Sequence, residues 1–134
     1  MIIATAVDDN MGMTFNRRRQ SRDSVLCADL ITEAKNYDAL YMNEYSAKLF
    51  DTDAEITVME NFLDVAGKSD LCFVENLSLS AHVDLIDGII LYKWNRRYPA
   101  QTYFDIDLTK YKLISTAEFV GSSHEKITKE IYIK

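Results

Sequence analysis

The chain has 134 residues and a mass of 15.4 kDa, enough for one hydrophobic core and too few for two ordinary domains, so a single domain over residues 1–134 is expected. A hydrophobic fraction of 48% with 27% charged residues, one proline and four glycines describes a soluble globular chain without a linker or low-complexity tract. The formal charge of -6 argues against general nucleic-acid binding, which draws on Lys and Arg at phosphates, but it leaves room for a local basic patch.

The first element is a wholly apolar run, Ile2-Ile3-Ala4-Thr5-Ala6-Val7, which suits a strand buried on both faces. It is too short for a secretory signal and has no basic region before it, and no apolar run nears the roughly 20 residues that cross a bilayer. A cytoplasmic protein with no membrane partner is expected. Asp8-Asp9-Asn10-Met11-Gly12-Met13 then suits the loop at the strand's carboxyl end, where open α/β sheets place ligands.

Four cations follow in Asn16-Arg17-Arg18-Arg19-Gln20-Ser21-Arg22. Two readings stand. Guanidinium forks pair bidentately with phosphate oxygens, so Arg17, Arg18 and Arg19 suit an anionic ligand; equally, charge runs are commonly solvated faces.

Ser21 or Asp23 can cap a helix whose Leu26, Cys27, Leu30, Ile31 and Ala34 form one apolar stripe. A short strand over Ala39–Met42, a short helix over Glu44–Phe50 and a short strand or extended stretch over Glu55–Val58 come next. Asn61–Ala66 reads as a helix ended by Gly67. Leu71-Cys72-Phe73-Val74 is a further buried strand, and Ser78 or Ser80 starts a helix through Leu79, Val83 and Ile86 to a stop at Gly88.

From there the pattern is strand-like without helices: Ile89–Trp94, Thr102–Ile106, Lys112–Val120 and Lys126–Ile133. The last alternates Ile127, Lys129, Ile131 and Ile133 with Thr128, Glu130 and Tyr132, as a strand with one wetter face does. The expected fold is α/β, one three-layer domain with a mixed, mostly parallel sheet, flanking helices and a C-terminal antiparallel hairpin.

Cys27 and Cys72 are expected as reduced core residues, for there is no Cys-x-x-Cys. His82 and His124 lie far apart, so no metal site is expected. His82 is expected on a partly exposed helix, His124 at a hairpin turn, and Trp94 as an aromatic anchor near Tyr92 and Tyr98.

The order of elements and several strings together resemble the dihydrofolate reductase family over nearly the whole chain. Ala6-Val7-Asp8-Asp9-Asn10-Met11-Gly12-Met13 is similar to its first strand and the start of its mobile loop. Tyr41-Met42-Asn43-Glu44-Tyr45-Ser46 falls at the strand running into its Gly-Arg-x-Thr cofactor turn, and Phe73-Val74-Glu75-Asn76 at the strand followed by Gly-Gly. Ile90-Leu91-Tyr92, Tyr103-Phe104-Asp105 and the hairpin with Ser122-Ser123-His124-Glu125 at its turn complete the likeness.

The departures shape the functional expectation. In the family the paired glycines let the backbone meet the cofactor pyrophosphate, and an Arg and a Thr hold phosphates. Here Glu75 and Asn76 replace the glycines and Glu44 the Arg, which sets negative charge where phosphate would lie, although Ser46 keeps a hydroxyl at the Thr position. No cofactor is therefore expected, NADPH entering only under an alternative reading.

Asp23 falls near the family's ring-binding carboxylate, where it suits an amidine-like edge of a pterin or a purine, and it suits a helix cap equally well. The resemblance thus implies a small-ligand-binding protein, monomer or homodimer, that holds a nucleotide-like or pterin-like molecule without reductase activity. Its candidate ligand-binding residues are Asp23, Arg17, Arg18, Arg19, Asn43, Ser46, Glu75 and Asn76; no catalytic residue is assigned. A divergent NADPH-dependent reductase of a pterin-type substrate and a nucleotide-processing enzyme are the alternatives.

Overall fold

In the computed structural model, which describes residues 1–51 and 53–134, the opening apolar run forms β1 (Ile2–Val7). After it come β2 (Gly12–Phe15), β3 (Arg18–Arg19), α1 (Ser24–Ala34), β4 (Ala39–Met42), α2 (Glu44–Ala47), β5 (Thr57–Val58) and β6 (Asp70–Phe73). The chain finishes with β7 (Gly88–Lys93), β8 (Thr102–Tyr103), β9 (Lys112–Phe119) and β10 (Ile127–Ile133).

Seven strands form one sheet in the order β5-β4-β6-β1-β7-β10-β9. The first five of that order run parallel, and β10 and β9 close it as an antiparallel hairpin. This is a mixed, mostly parallel sheet. β3, β2 and β8 make a separate antiparallel sheet of three strands.

Alternation along the central strands feeds two cores. Ile3, Val7, Cys72, Ile89 and Leu91 bury on one face with Phe62, Leu79 and Ile86. Ala4, Leu71, Phe73, Ile90 and Tyr92 bury on the other against Leu26 and Leu30 of α1. Central strands buried on both faces carry continuous apolar runs, which is why β1, β6 and β7 were legible.

The structure corrects three expected helices. Over Asn61–Ala66 only a 3₁₀ turn, Phe62–Asp64, forms, because the buried pair Phe62 and Leu63 are consecutive and make no i, i+3 stripe. Between Ser78 and Gly88 the element is again 3₁₀, Ser80–Leu85; Leu79 and Ile86 bury at its ends while Val83 between them is 39% exposed, too little apolar surface to offset helix nucleation. α2 stops at Ala47, and the chain continues in tighter turns with Leu49 N–H on Ser46 O and Phe50 N–H on Ala47 O. The second sheet face is therefore covered by 3₁₀ turns and loops, and the helical layer lies on one face alone.

Neither Gly67 nor Gly88 ends a helix in the left-handed conformation. Gly88 opens β7, where a Cβ would come within 2.8 Å of Ile2 Cδ1 and 2.9 Å of Tyr132 O, so close strand approach explains it. The stretch Thr102–Ile106 is strand only at its first two residues, Phe104 and Ile106 being buried as loop residues. On β10 the expected wetter face, Thr128, Glu130 and Tyr132, is half-buried, with Tyr132 packed on the core and Lys93 3.5 Å from Glu130; on the opposite face Lys129 reaches Asp29 at 2.8 Å and Glu33 at 2.6 Å on α1. Among the described residues no helix is long and apolar enough to cross a membrane.

Candidate functional site

The parallel strands point their carboxyl ends the same way, so Asn43 after β4, Glu75 and Asn76 after β6, and Asp8 after β1 share one end of the sheet. Asn43 caps α2 by accepting from Ser46 N–H at 3.0 Å, and its amide donates to Asn76 Oδ1 at 3.0 Å. Ser46 Oγ donates to Glu75 Oε1 at 2.8 Å. A bridge of short polar side chains thus spans the ends of β4 and β6.

Arg19 completes it. β2 and β3 turn through Asn16 and Arg17, both at positive φ (50° and 61°), as a two-residue type I′ hairpin requires. The turn carries the Arg19 side chain into the crevice, where Nε donates to Glu75 Oε2 at 2.9 Å and Nη2 to Glu75 Oε1 at 3.1 Å. Nη2 also donates to Tyr45 O at 3.2 Å, and the guanidinium carbon lies 4.4 Å from the centre of the Tyr45 ring. Tyr45 Oη accepts from the Arg19 backbone N–H at 2.8 Å. Burial alone would lower the Arg19 pKa; the Glu75 contact outweighs it and raises it. The space left between Arg19, Glu75, Met13 and Trp94 is about 10 Å³, room for one water.

Asp23 is engaged differently. Its Oδ1 accepts from Val25 N–H and Leu26 N–H, both at 3.0 Å, which caps α1. Its Oδ2 accepts from Ser123 N–H at 2.8 Å and Ser123 Oγ at 2.7 Å. The backbone of Gly121 passes so close that a Cβ there would strike the carboxylate. Burial would raise this carboxyl, but the bonds from Ser123 and Leu26 outweigh it and hold the pKa at about 2.

A chain of contacts continues from Ser123 to the one tryptophan. Ser123 Oγ lies 2.7 Å from His124 Nδ1, and His124 Nε2 lies 2.7 Å from Tyr98 Oη. Because the serine hydroxyl donates to Asp23, it accepts from Nδ1–H, and Nε2 accepts from the tyrosine; the imidazole is the neutral tautomer. It stacks on Trp94 with ring centres 4.6 Å apart. Burial, followed by Arg96, holds its pKa below the usual histidine value. The expected hairpin-turn position is correct, but the ring is buried.

Asp8 ties these parts together. Its Oδ1 accepts from Gly12 N–H at 2.7 Å and Asn10 N–H at 2.8 Å, and its Oδ2 from Gln20 Nε2 at 3.0 Å and Tyr98 N–H at 3.2 Å. One buried carboxylate therefore clasps the arginine hairpin to the loop after β7.

No protein-family model matches the chain, and no curated protein matches it in sequence. The functional reading rests on geometry. Of the eight residues marked from sequence, Arg19, Asn43, Ser46, Glu75 and Asn76 come together in one contact network. Arg17 sits at the hairpin tip, Arg18 faces outward, and Asp23 belongs to the α1 cap.

Tyr45 and Gln20 were missed, and Asp8 was placed in the ligand loop without being marked as a site residue. An aromatic inside a four-residue helix carries no sequence signal, whereas the first carboxylate after a fully apolar strand does. Among the described residues His82 reaches only Asp64, at 2.9 Å, on a partly exposed turn. Cys27 and Cys72 are free thiols, and burial pushes them up to about 11 and about 12, the first aided by Glu75 and Asp23. Among the described residues no three His, Cys, Asp or Glu side chains gather as metal ligands.

Proposed function

We propose that the protein holds a small planar molecule, nucleotide-like or pterin-like, at the carboxyl end of its parallel strands, and that it does no reductase chemistry. The observation that carries this reading is the two-pronged Arg19–Glu75 contact with the guanidinium over Tyr45. A guanidinium is itself a planar N–C–N donor edge, the same edge that a pterin or guanine presents. Arg19 thus marks the geometry that Glu75 and Tyr45 offer to a ligand.

Exchange of Arg19 for a ligand is energetically accessible. A buried ion pair contributes little net stability, since desolvation offsets its Coulomb energy. Its cation is delivered by a turn in which Arg17, a residue with a Cβ, sits at φ 61°, a conformation costing about 1–3 kcal/mol. When a ligand edge takes Glu75, the hairpin is free to relax.

The likeness to dihydrofolate reductase is supported by five parallel strands closed by a C-terminal antiparallel hairpin. The residues present do not fit that family's dinucleotide. The Glu75 and Asn76 side chains bridge to Ser46 and Asn43 across the gap where a pyrophosphate would meet bare backbone, and Glu44 opens α2 with a negative charge.

The test is calorimetry and thermal shift with pterins, guanine nucleosides, folates, cyclic nucleotides and NADPH, on the parent protein and on Glu75→Gln. A pterin or guanine compound that stabilises the parent and loses at least about tenfold in affinity in the variant supports the reading. Tight NADPH binding with hydride transfer to a pterin contradicts it.

A further inference from the structure

The chain's six arginines occupy two segments only, Arg17, Arg18, Arg19 and Arg22 before α1, and Arg96 and Arg97 after β7. Asp8 Oδ2 accepts from Gln20 of the first segment and Tyr98 of the second, so both lie at one end of the molecule. Among the described residues Arg19 alone of the six has a carboxylate in salt-bridge range, and the other five are exposed. An acidic chain thus gathers its guanidinium groups at one end, where Asp8, Asp9 and Glu125 lie among them.

Where the two segments meet there is a cavity of about 550 Å³, lined by Phe15, Arg18, Gln20, Tyr98 and Pro99 among others. That volume lies within the usual range for small-molecule sites, about 300–1,000 Å³. Arg18 lines this cavity and not the crevice at Glu75, whereas Arg19 borders both. Phe15 offers an open ring, 39% exposed.

Gln20 forms part of the cavity wall and is held in place by its Nε2, which donates to Asp8.

We infer that this cavity binds a phosphorylated ring compound of the mononucleotide class, with Arg18 on the phosphate and Phe15 and Tyr98 against the ring. Glu75 does not line the cavity, although Arg19 and Gln20 border both it and the crevice. The remaining exposed arginines draw the dianion in and leave its orientation to Arg18.

The experiment is calorimetry with AMP and with inorganic phosphate, paralleled by the fluorescence of Trp94, which the His124–Tyr98 contact links to the cavity wall. AMP binds with a Kd below about 1 mM and phosphate more weakly. Arg18→Ala weakens both at least about tenfold, and Phe15→Ala weakens AMP while sparing phosphate. Lys112→Ala, on a distant strand, leaves AMP binding unchanged, and because Arg18 does not line the crevice at Glu75, the Arg18→Ala loss tells failure here apart from failure of the crevice reading.

The inference is overturned if neither probe binds, if Lys112→Ala acts like Arg18→Ala, or if a thymidine oligonucleotide binds in preference to AMP with a steeper salt dependence. That last result would assign the basic end to single-stranded nucleic acid.

Discussion

Two buried carboxylates at the same end of the sheet, Asp23 and Glu75, are held by opposite means. Asp23 takes three backbone N–H groups and one hydroxyl, all from residues whose positions the fold already sets. Glu75 takes a guanidinium from a strained hairpin and one serine hydroxyl. A carboxylate whose donors are backbone belongs to the architecture, and no lone pair is left for a ligand. A carboxylate whose donor is a long side chain can exchange it. The resemblance in sequence marked both Asp23 and Glu75 as candidate ligand partners; under the proposed function Glu75 takes that role, while Asp23 caps α1.

The largest effect that separates the two comes from removing the exchangeable partner. Arg19→Ala leaves Glu75 buried and unpaired and costs about 3–5 kcal/mol in chemical denaturation. The double variant Arg19→Met, Glu75→Gln recovers most of that loss. A single variant as stable as the parent would mean that Glu75 is solvated, and the contrast with Asp23 would fail.

Asp23→Ala comes next. It removes a helix cap and the anchor for Ser123, a cost of about 2 kcal/mol. Ligand affinity stays unchanged in the refolded fraction, in contrast to Glu75→Gln. A variant that keeps its stability and loses ligand would return the binding role to Asp23.

The pH dependence separates Asp23 from His124. The Asp23 carboxyl is depressed from 3.8 to about 2, so its stabilisation, about 2 kcal/mol, is present above pH 4 and is lost as pH falls toward 2. His124 is also depressed from its value of 6.5, so the folded state takes up its proton less readily than the unfolded chain. That contribution is complete above pH 6.5 and declines below it. Urea denaturation across pH 2–8 shows both limbs, and His124→Gln removes the upper one alone. A flat profile between pH 7 and 5 in the parent would place the imidazole in solvent.

Much of the fold was legible because the central strands are buried on both faces and announce themselves as apolar runs. Ala39–Met42 was placed to the residue, and capping chemistry narrowed the helix start to Ser21 or Asp23, of which Asp23 is the cap. The 3₁₀ turns were not legible, because Phe62 and Leu63, or Leu79 and Ile86, supply apolar residues without the spacing that tells a turn from a helix. At the candidate site the cluster after β4 and β6 was legible through a likeness in which glycine had become Glu75 and Asn76. That Arg19 rather than a ligand would meet Glu75 was not, since the pairing joins residues 56 positions apart and depends on a tight I′ turn.

The smallest effect concerns Cys27, which lies beside both carboxylates. Burial, then Glu75 and Asp23, keep its thiol near 11, so it reacts slowly with thiol reagents at pH 7.5 in the parent. Exchange of Arg19 for a bound ligand changes that rate only slightly, while Glu75→Gln speeds it modestly. A fast-reacting Cys27 would show that the crevice stands open.

The most direct measurement is the rescue of Arg19→Ala by free guanidinium at low millimolar concentration, with sodium at equal ionic strength as the control. If Glu75 and Tyr45 form a seat for a planar N–C–N edge, guanidinium raises the melting temperature of Arg19→Ala by about 5 °C, and sodium does not. The rise is absent when Glu75→Gln is added. A melting temperature that responds to both ions alike, or to neither, would contradict the account.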